Sequence, residues 1–144
     1  SGTLDGSVSR AATSKLVSDL GAVSVIYRDL AADVLPQIDA AWIAARLVPE
    51  AERSDAERAV LALSDTLVAE MQAADTIVIG MPMYNFGMPA ALKAWVDLLG
   101  RPKLTFAYTP MVRLVCWRAN VRLSLSHRVG CLSAVRWTLP PPIW

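Results

Sequence analysis

The segment 80–87 carries side chains that suit a flat ligand. It holds an aromatic pair, Tyr84 and Phe86, a carboxamide at Asn85 and a glycine at each end. An apolar run precedes it and a helix pattern opened by Pro89 follows, so we expect the loop at the carboxyl end of a strand. Open α/β sheets bind their ligands there, and glycine lets a ligand approach the backbone. We predict a planar cofactor against this loop. The alternative is a loop whose Asn and aromatics serve only turn geometry and packing.

A second candidate is the segment Gly6-Ser7-Val8-Ser9, which lies at a predicted helix start. Free backbone N–H groups and the positive end of the helix dipole favour an anion there. The two hydroxyls can add hydrogen bonds to phosphate oxygens, which suits the monophosphate of flavin mononucleotide (FMN). Since no G-x-G-x-x-G is present, a nicotinamide Rossmann site is disfavoured. The alternative is ordinary N-capping by serine.

Other chemistries find little support in the residue types. The single histidine, His127, and both cysteines, Cys116 and Cys131, lie near the carboxyl terminus. We find no Ser/His/Asp or Cys/His arrangement and no metal-ligand spacing, and we expect no metal. Trp42 and Trp95 fall on apolar helix faces and are predicted to be core residues. No apolar run reaches the roughly 18 residues of a membrane span, and no secretory signal follows the first residues, so we expect a cytoplasmic protein.

The elements that must position these loops alternate in type. We predict helices over 7–20, 39–47, 54–74 and 89–99, and strands over 22–28 and 76–80. Ser54-x-x-Glu57 is a capping box that opens the longest helix. We expect its buried stripe to be Val60, Leu63, Leu67 and Met71. Alternating strands and helices favour an α/β fold with a parallel sheet.

Charge divides the chain in two. Residues 1–110 hold nine Lys and Arg against 13 Asp and Glu, whereas residues 111–144 hold five Arg and no acid. Hydrophobic periodicity also stops after Pro110, and the chain ends in Pro140-Pro141-Pro142-Ile143-Trp144, which favours neither helix nor central strand. We predict that residues 1–110 form one domain and that residues 111–144 are an aberrant basic tail.

The first domain resembles the FMN-dependent NADH-azoreductases, also described as NADH:quinone oxidoreductases. The resemblance rests on segments that occur in order up to about residue 110: Ser7-Val8-Ser9-Arg10, Tyr27-Arg28-Asp29-Leu30-Ala31-Ala32, Ala62-Leu63-Ser64-Asp65, Pro82-Met83-Tyr84-Asn85-Phe86 and Thr105-Phe106-x-Tyr108-Thr109. It implies a flavodoxin-like fold with helices on both faces of a parallel sheet.

The resemblance also implies an activity and a site. Such enzymes pass a hydride from NADH through bound FMN to a quinone or an azo bond in a ping-pong cycle, and they are homodimers that need no nucleic acid or membrane. Ser1, Ser7, Val8 and Ser9 would contact the phosphate. Met83, Tyr84, Asn85 and Phe86 would lie against the isoalloxazine ring. Since the cofactor performs the chemistry, we assign no catalytic acid or base. A flavodoxin-type electron carrier and a non-catalytic, partner-binding fragment are the alternatives.

The sequence departs from the family at both ends. We expect the chain to lack the apolar first strand, which lies inside the sheet in the order 2-1-3-4-5. A single lost base near codons 109–110 would explain residues 111–144, because restoring it yields a reading that resembles the family's continuation. Under that hypothesis the tail is out of frame, and we expect this chain to bind FMN weakly or not at all and to turn over poorly even with excess cofactor. The alternative is a genuine basic tail that binds nucleic acid or an anionic surface.

Overall fold

A computed structural model describes residues 5–22, 24–108, 113–115, 120–126 and 134–137, and from Tyr108 onward only the backbone of the strands. The elements in chain order are α1 (Val8–Asp19), α2 (Ala40–Ala45), a 3-10 turn (Glu50–Glu52), α3 (Asp55–Ala73), β1 (Thr76–Pro82), α4 (Ala90–Leu98), β2 (Phe106–Tyr108), β3 (Arg113–Val115), β4 (Asn120–Ser126) and β5 (Ala134–Trp137). They belong to two compact units, each built from separate stretches of the chain.

The first unit is a small sheet with a helix against it. It comprises Ser1–Val34, Ala74–Leu92 and Arg118–Trp144. Its strands lie in the order β1-β4-β5; β4 runs parallel to β1 and antiparallel to β5. Helix α1 packs on β1 and β4. The described sheet is therefore mixed, whereas the sequence predicted a parallel one.

The second unit is mainly helical and comprises Leu35–Ala73 and Lys93–Trp117. Helix α2 packs on α3, and Trp42 of α2 is a buried core residue, as predicted. Helix α3 begins with the expected capping box: the Glu57 N–H donates to Ser54 Oγ (3.3 Å), and the Ser54 N–H donates to Glu57 Oε2 (2.8 Å). The exchange gives two orphan N–H groups acceptors, which fixes where the helix begins.

A charged side chain is buried in this second unit. Arg101 is only 1% exposed, and its Nη1 donates to Ser64 Oγ (3.0 Å) and pairs with Asp65 Oδ1 (2.6 Å). The Ser64 hydroxyl in turn donates to the Leu98 carbonyl (2.6 Å). These contacts join the middle of α3 to the segment that follows α4. They give Nη1 of the buried guanidinium two partners, whereas Nη2 is buried without a hydrogen-bond partner among the described residues.

The buried stripe of α3 differs from the predicted one. Leu67 and Met71 are buried as expected, but Val60 is 41% exposed and Leu63 is half-buried. The observed stripe is Leu61, Ser64, Leu67, Val68 and Met71. Ser64, which hydrogen-bonds to the Leu98 carbonyl, lies at the centre of this face. Because Ser64 is polar, apolar periodicity alone favoured an adjacent helix face that includes Val60 and Leu63. Trp95, also predicted as core, is half-buried.

The predicted strand over 22–28 is wrong. Residues 22 and 24–28 carry no strand, although their composition is rich in β-branched residues. A strand needs a hydrogen-bonded neighbour, and none of the described strands pairs with this segment. Its apolar side chains are accordingly exposed, with Val25 at 52% and Ile26 at 63%. The strand predicted over 76–80 is confirmed and continues to Pro82.

Regular structure continues after residue 110, where the sequence showed no periodicity. Strand β4 pairs with β1 along its whole length, from Thr76 opposite Asn120 to Pro82 opposite Ser126. Neither compact unit ends at residue 110. The predicted boundary between a domain over residues 1–110 and an out-of-frame tail therefore stays a prediction. The proline-rich end, residues 140–144, lies outside the described residues.

Candidate functional site

The start of helix α1 presents hydroxyls and backbone donors together. Ser7 is the N-cap, and its Oγ accepts a hydrogen bond from the Arg10 N–H (3.4 Å) and lies 3.2 Å from Ser9 Oγ. Ser9 is 3% exposed, whereas Val8 between the serines is 63% exposed. The capping role that the sequence offered as the simpler interpretation of Ser7 is therefore present. Capping does not use every donor, because a helix start has several N–H groups without intrahelical acceptors.

An ion pair lies directly beside these hydroxyls. The Arg10 guanidinium binds the Asp29 carboxylate through both amino groups, Nη1 to Oδ2 (2.6 Å) and Nη2 to Oδ1 (2.9 Å). Arg10 Nη1 also donates to the Tyr27 hydroxyl (3.3 Å), and the Ala31 N–H donates to Asp29 Oδ1 (3.0 Å). The hydrogen bonds from Arg10 and then from Ala31 lower the pKa of Asp29 to about 2, and Asp29 raises the pKa of Arg10.

An open cleft lies over this helix start. Its volume is about 520 Å³, and its lining consists of Gly6, Ser7, Val8, Arg10, Ala11 and Ser14. The cleft thus contains one charged side chain, three small polar or glycine positions and the exposed Val8 methyl groups. A group with a phosphate at one end and an apolar body would find complementary chemistry here.

A chain of contacts connects α1 with the end of β1. The Thr13 hydroxyl donates to the Ser9 carbonyl (2.8 Å). The same Oγ1 would lie only 1.8 Å from a Cβ placed on Gly80, two residues before β1 ends at Pro82. Gly80 therefore makes room for α1, which corrects the expectation that it admits a ligand. Thr13 of α1 therefore lies close to the end of β1, from which the 83–87 loop departs.

The 83–87 loop forms a tight turn with unusual backbone angles. The Gly87 N–H donates to the Tyr84 carbonyl (2.9 Å), and the Tyr84 N–H donates to the Gly87 carbonyl (3.3 Å). Both central residues have positive φ, 48° at Asn85 and 63° at Phe86. Asn tolerates this left-handed conformation, whereas a bulky aromatic residue adopts it at an energetic cost. The Phe86 ring is 97% exposed, so packing against the described residues does not compensate for that cost.

Strain of this kind is concentrated at ligand sites. Tyr84 is 48% exposed and Met83 is 39% exposed, so the turn presents a broad apolar and aromatic surface together with the Phe86 ring. Loop, strand end and helix start all belong to the first compact unit. The structure thus brings seven of the eight predicted site residues into one unit; the eighth, Ser1, lies outside the described residues.

Sequence reasoning gave no role to Arg10 and Asp29. They are 19 positions apart, and Arg10 lies in α1 whereas Asp29 lies outside any helix or strand, so no spacing rule connects them. It also missed the left-handed turn, for which Asn85, a residue type that tolerates positive φ, was the available signal. Among the described residues, no group of three potential metal ligands occurs and no helix is long and apolar enough to cross a membrane.

A family model described as having a flavodoxin-like fold matches residues 1–129. The FMN-dependent NADH:quinone oxidoreductase 1 of Jannaschia sp. (strain CCS1) is 56% identical over 105 residues, which cover 73% of this chain and 54% of that protein. An FMN-dependent NADH:quinone oxidoreductase of Erythrobacter litoralis (strain HTCC2594) is 50% identical over 108 residues, 74% of this chain and 55% of that protein. The chain spans about half the length of these curated relatives.

Solved structures support the same architecture. The azoreductase AzrA superposes with a TM-score of 0.73 at 23% identity and covers 84% of this chain and 62% of that one. An FMN-dependent NADH-azoreductase from Bacillus anthracis str. Ames Ancestor, solved in complex with FMN, superposes with a TM-score of 0.64 at 23% identity, over 83% and 62% of the two chains. At that identity the likeness shows the fold. With the family model covering most of its length, this chain belongs to the family of proteins with a flavodoxin-like fold.

Proposed function

We propose that the protein is an FMN-dependent oxidoreductase that takes a hydride from NADH and passes it to a quinone or an azo compound. The observation that carries the proposal is that the hydroxyl-bearing start of α1 and the exposed aromatic turn belong to one compact unit. In that unit Thr13 of α1 lies against Gly80, near the end of the strand that leads into the turn. The names of the curated relatives supply the reaction, and the named structural neighbours supply the azo alternative.

The residues present fit the cofactor. In the proposal Ser7, Val8 and Ser9 hold its phosphate, with Ser1 as a further contact from the resemblance. When bound, FMN would supply reversible two-electron, hydride-level chemistry. The chain binds and orients that ring: Met83, Tyr84, Asn85 and Phe86 provide a face that excludes water on one side. We assign no protein acid or base to the reaction.

Further parts of the proposal come from the sequence alone. They are a homodimeric assembly, a cytoplasmic location, and an FMN-binding domain over residues 1–110 followed by an out-of-frame tail. Resequencing codons 105–115 from independent template tests the tail: an additional base supports a reading-frame change, and an unchanged sequence with a functional tail contradicts it.

Titration and turnover test the proposed activity. The full chain, freed of flavin, is titrated with FMN while flavin fluorescence is followed, and NADH oxidation is then measured with a quinone and with an azo dye. Saturable binding and acceptor-dependent oxidation support the proposal. Binding without NADH oxidation indicates a flavodoxin-type carrier. If the chain shows no flavin binding and no turnover, the proposal is refuted.

Variants locate the activity on the molecule. Phe86→Ala removes an exposed ring from the turn and is expected to weaken FMN binding, because base–aromatic stacking of comparable area contributes roughly 1–3 kcal/mol. Leu47→Ala is the matched control, since Leu47 is 67% exposed and belongs to the other compact unit. Equal effects of the two substitutions would contradict a flavin site at the turn.

A further inference from the structure

The anion site at the start of α1 has a permanent negative charge as a neighbour. Asp29 contacts the Arg10 guanidinium, which itself lines the cleft over Ser7. Because the pKa of Asp29 is lowered to about 2, chiefly by hydrogen bonds from Arg10, its carboxylate is ionised at any pH at which a phosphate monoester would bind. A phosphate monoester carries between one and two negative charges near neutral pH. An unshielded carboxylate here would repel it.

We propose that Arg10 is a positioning residue that neutralises Asp29 and thereby makes the cleft selective for a ligand with a terminal phosphate. The proposal rests on the proposed function for the identity of that ligand, FMN. Ser7 and the helix start bind the phosphate, Arg10 holds the carboxylate of Asp29 in a bidentate pair, and Asp29 fixes the guanidinium together with the Tyr27 hydroxyl. The selectivity therefore depends on the balance of two charges as well as on the hydroxyl contacts.

The charge balance makes a prediction about pairs of variants. Arg10→Met removes the cation that neutralises Asp29 and is expected to weaken FMN binding about tenfold, because like charges repel each other in a partly solvated site. Riboflavin has no phosphate, so its affinity is expected to change by less than about twofold. Arg10→Met combined with Asp29→Asn removes both charges and is expected to restore FMN affinity. Arg10→Lys keeps the positive charge and is expected to retain most of the FMN affinity.

The ratio of FMN to riboflavin affinity is the decisive readout. Partial unfolding lowers the apparent affinity for both ligands equally, so the ratio separates the charge effect from a structural one. Lys15 and Asp19 supply the control, because they form an exposed ion pair on the same helix, away from its start. Lys15→Met and the double variant Lys15→Met/Asp19→Asn make the same changes of charge and are expected to leave the ratio unaltered.

Each outcome bears on the proposal. An unchanged ratio in Arg10→Met, or no recovery in the double variant, overturns it even if the wild-type chain binds FMN. If the wild-type chain binds no FMN, the proposed function fails, and calorimetric titration with inorganic phosphate decides the inference: weaker binding in Arg10→Met with recovery in the double variant supports it. Equal phosphate binding in all variants, or none in the wild type, overturns it.

Discussion

Substituting Gly80 by alanine tests whether close approach of α1 to β1 holds the site together. The new methyl carbon would lie 1.8 Å from Thr13 Oγ1 and 3.0 Å from Thr13 Cβ. The first distance is about 1.6 Å short of the 3.4 Å at which ordinary contact begins. Relief requires either a shift of the whole helix or rotation of the Thr13 side chain, which would break its hydrogen bond to the Ser9 carbonyl.

The expected cost follows from these two routes. Overpacking of a well-packed contact costs about 1–3 kcal/mol, a lost hydrogen bond costs about 1 kcal/mol, and alanine gains roughly 0.5 kcal/mol by restricting the unfolded chain. We therefore expect Gly80→Ala to lower the free energy of unfolding by about 2 kcal/mol. Thr13→Ala alone loses the hydrogen bond but improves helix propensity, so its effect should stay within about 0.5 kcal/mol.

A double-mutant cycle measures the coupling. Urea unfolding followed by circular dichroism gives the free energy of each variant by linear extrapolation. In Gly80→Ala/Thr13→Ala the 1.8 Å clash is absent, and about 1–2 kcal/mol of the loss is expected to return. Gly87→Ala is the control, since a Cβ there would meet only the Tyr84 carbonyl at 3.8 Å. A Gly80→Ala protein as stable as the wild type, or a double variant no more stable than Gly80→Ala, would refute the packing argument.

Three further predictions concern capping, strain and acid stability. Ser54→Ala removes the hydroxyl that caps α3 and should cost about 1 kcal/mol in urea unfolding, whereas Glu57→Gln, which keeps a side chain able to accept from the Ser54 N–H, should cost less; equal losses would contradict the capping box. Phe86→Gly relieves a left-handed backbone and should raise the free energy of unfolding by about 0.5–1 kcal/mol while weakening flavin binding, and a destabilised variant would show that the ring packs on something. The pKa of Asp29 is lowered from 3.8 to about 2 in the folded state, so its contribution is present above pH 3.8 and is lost as the pH falls towards 2; Asp29→Asn should flatten that part of the acid-unfolding profile, and an identical profile would contradict the pair with Arg10.

Local signals predicted the helices well. The capping box at Ser54 and Glu57 located the start of α3, and Gly21, whose φ is 59°, follows the end of α1 as expected of a helix stop. These features depend on interactions within a few residues, which a single sequence contains. The strand leading to Pro82 was recognisable for a similar reason, because a short apolar run between turn-forming residues is typical of a buried strand.

Long-range pairing limited the rest. The β-branched segment around Val25 has the composition of a strand, yet a strand exists only with a neighbour, and composition does not identify one. The ion pair of Arg10 with Asp29 and the contact of Gly80 with Thr13 likewise join residues far apart in sequence. For the candidate site, the sequence predicted which two segments to consider. The structure added the ion pair of Arg10 with Asp29 and the close approach of Thr13 to Gly80.

The buried Arg101 has a consequence for how the second unit opens. Its guanidinium is compensated only while Ser64 and Asp65 of α3 remain in reach, and Ser64 is also bound to the Leu98 carbonyl. If either helix loosened alone, the Arg101 charge would stay buried without its partners, which costs more free energy than the loss of apolar contacts. The amide hydrogens in the middle of α3 and at the end of α4 are therefore expected to exchange with solvent at a common rate, set by joint release of the two helices.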